Sequence, residues 1–145
     1  MADAVREDAV LGKLTFEKEL NWYAGAAKHA KRKLEVHISL DECDDADALI
    51  SSASKWMADL GKHEPAARTF AAKKLLELKN STWREEGEKP HTGAAFAAKL
   101  GITSVQFSAD GDVDIYFADG GLFWGHTIIV SWSAKKGFKD AQIAG

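Results

Sequence analysis

The chain holds a single cysteine, Cys43, and only two prolines among its 145 residues. One thiol excludes an intramolecular disulfide framework and any zinc cluster built on cysteines, and it fits a reducing cytoplasm. Positive charge is not in excess. Nineteen Lys and Arg against 22 Asp and Glu leave a net −3 at pH 7, so no basic field exists to neutralise many phosphates, and nucleic acid is not an expected partner. No run approaches the ~20 apolar residues that span a bilayer, and the first eight residues lack the apolar core of a secretion signal. A cytoplasmic protein without a membrane span is expected. Catalytic and cofactor signatures are missing as well: there is no G-x-S-x-G, P-loop, G-x-G-x-x-G or H-E-x-x-H, so neither a cofactor nor a metal is indicated. Linkers, repeats and low-complexity tracts are also lacking.

What is present reads as one globular domain over residues 10–145, preceded by a tail at 1–9. With 46% hydrophobic and 28% charged residues, a chain of this length buries roughly 70% of its unfolded surface. Residues 10–16 and 20–28 read as strands joined at Glu17-Lys18-Glu19. After a basic stretch at 28–33, Leu34, Val36, Ile38 and Leu40 alternate on one face of a third strand. The period then changes. Asp44 and Asp45 are suited to capping a helix whose apolar stripe is Ala46, Leu49, Ile50, Ala53, Trp56, Met57 and Leu60, with Gly61 as its stop. Pro65 suits the first turn of a second helix, ending near Asn80, and Thr92 caps a short third one closed by Gly101.

From Ile102 alternation returns in 102–107 and 113–117, joined by the turn Asp110-Gly111. Residues 122–132 are apolar on both faces and read as one central strand, and 141–144 as a short last one. The predicted fold class is α+β, order βββ-ααα-ββββ: a single, mostly antiparallel sheet of six to seven strands with helices packed on one face.

Several blocks resemble a known family. Leu11-Gly-Lys-Leu-Thr-Phe16, Leu20-Asn-Trp-Tyr-Ala-Gly25, Ala71 to Asn80 with Trp83, Asp119-Gly-Gly-Leu-Phe-Trp-Gly-His-Thr-Ile-Ile-Val130 and Ala141-Gln-Ile-Ala-Gly145 are similar to an uncharacterised bacterial family, domain of unknown function 2262. The resemblance runs from about Val10 onward, and Phe-Trp-Gly-His and Ile-Ala-Gly are its more specific parts. It implies a small bacterial cytoplasmic protein and brings no catalytic residues to transfer.

The candidate sites are best weighed one by one. Asp110-Gly-Asp-Val-Asp114 superficially resembles a calcium loop, but Ile115 and Gly121 stand where the EF-hand needs glycine and glutamate, so it reads as a hairpin turn. Cys43 lies among Asp41, Glu42, Asp44 and Asp45, carboxylates that disfavour a thiolate, and reads as an unreactive thiol. His126, in a regular strand, would share an apolar face with Trp124, Ile128, Val130 and Trp132, as a hydrogen-bonded core histidine. If only one sheet face is covered, His37, Ser39, Gln106, Asp114 and Tyr116, with Tyr23, form the other as a recognition face. The five carboxylates in 41–47, Asp44, Asp45 and Asp47 foremost, form an acidic patch suited to a basic protein partner, with capping accounting for part of it. The leading expectation is therefore a non-enzymatic protein-binding module, immunity-like or regulatory. The alternative is a small-ligand-binding protein or enzyme with a site around His126, Trp124 and a nearby carboxylate such as Asp119.

Overall fold

The computed structural model describes residues 3–29 and 32–145. Eight strands form one sheet in the order of the sequence: β1 (Val5–Asp8), β2 (Gly12–Glu17), β3 (Trp22–His29), β4 (Arg32–Ser39), β5 (Gly101–Ser108), β6 (Asp112–Ala118), β7 (Thr127–Ser133) and β8 (Gly137–Ala144). Every pairing is antiparallel except β4 with β5, which is parallel, with Val36 opposite Val105 and Ile38 opposite Phe107. Parallel neighbours cannot be joined by a tight turn. The three helices supply the crossover: α1 (Ala46–Ala58), α2 (Leu60–Ser81) and α3 (Gly93–Lys99).

Four expectations need correction. The sheet, mostly antiparallel as expected, has eight strands rather than six or seven, because Val5–Asp8, in the expected tail, pairs with Gly12–Thr15 as an edge strand. Strand β7 starts only at Thr127, and it lies next to the edge strand β8 rather than centrally. Helix α2 begins at Leu60, leaving Asp59 as the whole joint with α1, so Pro65 sits inside the helix, where it removes one intrahelical hydrogen bond. The last strand is twice the expected length, starting at Gly137.

Alternation explains which face is covered. Leu14, Tyr23, Leu34, Val36, Ile38, Val105, Phe107, Ile115, Phe117, Ile128 and Val130 all point to the helical side and are buried. From the helices, Leu49, Ala53, Trp56, Ala67, Ala71, Leu75 and Phe96 complete the same core. Helix α1 lies over β4 and β5, whereas α2 runs over β7 and β8 with α3 packed on it.

The β1–β2 turn is tied to this layer by one oxygen. Asp8 Oδ2 accepts from the backbone N–H groups of Val10 and Leu11, both at 2.9 Å, and from Ser54 Oγ of α1 at 2.8 Å. Burial acts to raise the pKa of this carboxyl, but the three donors prevail and hold it below its usual value. Asp8→Ala should cost about 2–3 kcal/mol, while Asp8→Asn, which keeps an oxygen for all three donors, should cost only about 1. Because the folded-state pKa is depressed, this contribution is present above the usual carboxylate value and is lost as pH falls through the folded one. Urea denaturation should therefore show stability declining below about pH 4, and less steeply in the Asn variant. Equal losses in the two variants would contradict this role for the oxygen.

Candidate functional site

Four rings from four elements line a cleft where α1 meets α2. Trp56 belongs to the apolar stripe of α1, and His63, one turn into α2, stacks on it with centroids 4.3 Å apart and planes 7° apart. Trp132 of β7 meets both rings edge-on, at 6.0 Å from Trp56 and 5.8 Å from His63. Phe107 of β5 is also edge-on to Trp56, at 5.7 Å. Edge-to-face and stacked contacts of this kind suit the quadrupoles of the rings. The cleft they line holds about 250 Å³, and Ser52, Lys55, Asp59 and Asp112 line it as well. The buried Trp56 indole N–H has no acceptor among the described residues. Burial pulls the pKa of His63 below its usual value, Asp59 opposes this and Lys62 adds to it. The imidazole is therefore neutral at pH 7.

A second groove of about 280 Å³ shares Leu49, Ser52 and Gly111 with the cleft and is lined by Glu42, Cys43, Asp44, Asp45 and Asp110. The acidic patch is thus next to the aromatic one. Its carboxylates are not equivalent. Asp45 caps α1, accepting from Ala48 N–H at 3.1 Å. Asp47 pairs with the Arg6 guanidinium, which also donates to the Tyr23 hydroxyl at 3.3 Å. Asp41 accepts from Asn21 Nδ2 at 3.0 Å. Among the described residues, Glu42 and Asp44 have no such partner.

The segment expected to begin the long strand is instead a loop folded around Asp119, which is 3% exposed. Its Oδ1 accepts from Gly121 N–H at 2.8 Å, and its Oδ2 from Phe123, Gly125 and His126 N–H at 2.9, 3.1 and 3.0 Å. Burial acts to raise its pKa, but the four backbone donors win and bring it below the usual value. Gly120 lies at φ 62°, and a Cβ there would fall 2.3 Å from the Lys99 carbonyl oxygen, so only glycine fits. Trp124, at φ 60°, is held outward and is 58% exposed, with its ring 4.7 Å from that of Trp83. His126 bonds through Nδ1 to the Phe123 carbonyl and packs edge-on against Trp83 at 5.3 Å. It is half-buried at a loop end, not seated on an apolar strand face as expected.

A family model described as an uncharacterised protein conserved in bacteria, DUF2262, matches residues 8–143. The chain belongs to DUF2262. Neither the curated proteins nor the solved structures contain a match to it. The span takes in the strands from β2 onward, the helical crossover and both grooves of this DUF2262 chain.

Strand register also places the residues expected on the uncovered sheet face. His37, Gln106, Asp114 and Ser131 form one row across β4 to β7, with Tyr116 in the next row. Ser131 Oγ donates to Asp114 Oδ1 at 2.8 Å, and Trp22 stacks on His37 at 4.1 Å. Burial, and next to it Asp114, raises the pKa of Tyr116. Tyr23 does not belong to this face. It is 0% exposed on the helical side, with its hydroxyl donating to the Asp3 carbonyl at 2.7 Å. The error came from taking Trp22 as the inward residue of the pair, whereas register puts Tyr23 opposite Ile38.

No group of three or more His, Cys, Asp or Glu side chains gathers as metal ligands among the described residues. The aromatic cleft itself was missed because Trp56 fits a core stripe. The available signal was the seven-residue spacing of Trp56 and His63, which puts both on one face of a nearly continuous helix.

Removing the loop's organiser should be costly. Asp119→Asn should lose about 2 kcal/mol, because its amide nitrogen faces the Gly121 N–H or strips Oδ2 of its three donors, and Asp119→Ala about 3–4. Near-UV circular dichroism should report loss of the Trp83–Trp124 packing. A loss under about 1 kcal/mol for the Asn variant would show that the loop does not depend on this carboxylate.

Proposed function

We propose that this DUF2262 protein is a non-enzymatic recognition module of the bacterial cytoplasm, immunity-like or regulatory, and that it takes a Lys or Arg side chain of a basic partner protein into the aromatic cleft. One observation carries the reading: the cleft walled by Trp56, Trp132 and Phe107 adjoins the acidic groove of Glu42, Asp44 and Asp110, sharing Leu49, Ser52 and Gly111 with it. Indole faces attract a cation with ~0.5–2 kcal/mol depending on desolvation. Asp59 at the cleft wall supplies the counter-charge, and Glu42 and Asp44 steer approach. Lys55 lies in the same wall and Lys139 pairs with Asp112 at 3.3 Å. The pull on a cation therefore comes from Asp59 and the groove rather than from Asp112.

The alternative, catalysis or ligand binding around His126, has less support. Asp119 is beside it, but its carboxylate is saturated by backbone donors and held ionised, which leaves it unfit to carry a proton near neutral pH.

An Arg-rich peptide should quench tryptophan fluorescence saturably, more tightly at low salt. Asp59→Asn is a mild change, since Asp59 makes no side-chain cap bond; it and Trp132→Leu should each weaken binding by roughly tenfold. Acid should weaken it too. With the pKa of His63 held below its usual value by burial, the unfolded chain takes up the proton first, so stability falls as pH drops below the usual histidine value, and protonation in the folded cleft then puts an imidazolium there that repels the cation; His63→Gln should remove that dependence. Peptide binding left unchanged by both cleft variants would overturn the proposal.

A further inference from the structure

The opposite end of the β4–β5 pair carries the reverse charge. His29 and Arg32 face each other across β3 and β4. Strand alternation puts both on the helical side, where Arg68 of α2 and Lys99 at the end of α3 line the same pocket of about 460 Å³, with Lys33 at its lip. Its floor is apolar, made by Leu34 and Leu100, both buried. Glu64 is the neighbouring carboxylate, and it is already shared between Arg68, i,i+4 on α2, and His29 Nε2 at 3.5 Å. Arg68 Nη1 also donates to the Ala97 carbonyl at 3.2 Å, covering one of the oxygens that would repel an anion at the end of α3. Among the described residues, no carboxylate pairs with Arg32, Lys33 or Lys99. In a chain of net charge −3, four permanent cations from three elements therefore converge on one concavity with, among the described residues, a single, engaged counter-charge.

We infer that this pocket binds a small polyvalent oxyanion, with phosphate groups as the best fit. Its volume exceeds what one phosphate fills and lies within the range of small-molecule sites. Arg32, with its fork free, suits bidentate contact to phosphate or carboxylate oxygens, while Lys33 and Lys99 add point charges. Nucleic acid is a poorer occupant, because the cations line a concavity and not a stripe along a surface.

The test is a titration of the full chain with pyrophosphate and, separately, with citrate at fixed ionic strength, followed by amide NMR. Saturable shifts centred on residues 32–34 and 99–102 are expected, and Arg32→Gln combined with Lys99→Gln should weaken binding by at least about tenfold while the thermal melt is unchanged. Tighter binding of pyrophosphate would assign phosphate compounds, and tighter binding of citrate polycarboxylates; either upholds the oxyanion pocket. Absence of saturable binding by both anions, equal binding by the variant, or a response only to duplex DNA would overturn it. The cleft of Trp56 lies at the other strand ends, so its own variants leave this outcome untouched.

Discussion

One parallel pair governs the architecture. In an otherwise antiparallel meander, β4 and β5 run the same way, and a parallel neighbour requires a crossover that lies over a sheet face. All three helices fall in that crossover, so one face is covered and the other is not. The same pairing sorts the functional groups. The beginnings of β4 and β5 lie together at one end of the molecule and bring Arg32, Lys33 and Gly101 next to Lys99 and Arg68. Their ends lie together at the other, where Glu42 to Asp45 meet Phe107, Ser108 and Asp110. An antiparallel pair would have mixed the two sets. A chain whose overall charge is slight is thereby polarised along its central strands.

Charge also serves as internal scaffolding. Asp8 and Asp119 each collect several backbone donors in turns that glycine and left-handed residues have opened, and a carboxylate is the side chain with enough lone pairs to do so. Lys79 is the cationic counterpart. It is 1% exposed and donates to the Trp83 carbonyl at 2.8 Å and to Glu88 at 3.0 Å, pinning the loop after α2. A buried ammonium without those oxygens would be strongly unfavourable. The backbone N–H of Glu85, and then Lys79, lower the pKa of Glu88, which keeps the ion pair formed at neutral pH. Acidic and basic residues that look like surface in the sequence are here what ties down three irregular segments.

That distinction marks how far the sequence could be read. The stripe of α1, the alternation of 34–40, the Asp110-Gly111 turn and the row His37, Gln106, Asp114 are visible because period reports burial directly. Period does not report which strand is the neighbour. The parallel register of β4 with β5 was therefore invisible, and so was β1, whose four residues are one valine and three charged side chains with little apolar signal. The run 122–132 misled for another reason. Its apolar residues are real core, Leu122 and Phe123 among them, but the backbone there follows a single carboxylate reaching two to seven residues ahead, a constraint outside any hydrophobic pattern. At the acidic patch, composition overstated the free charge, since capping and the Arg6 pair occupy Asp45 and Asp47.

The rest of the surface bears on why the proposed sites lie at the strand ends and not on the sheet. Edge strands invite pairing with another chain unless something opposes it. Here β1 presents Arg6, Glu7 and Asp8, and β8 presents Lys139 and Asp140; a further strand would have to desolvate these charges. The uncovered face is protected differently. Its row of His37, Gln106, Asp114 and Ser131 is polar and partly bonded within itself, so it has little apolar area to gain from a covering layer. What remains are concavities where loops leave the sheet, one aromatic and acidic, one basic. These are the places where desolvation costs least relative to what charge complementarity and ring stacking return, and so the places where a partner gains most by binding.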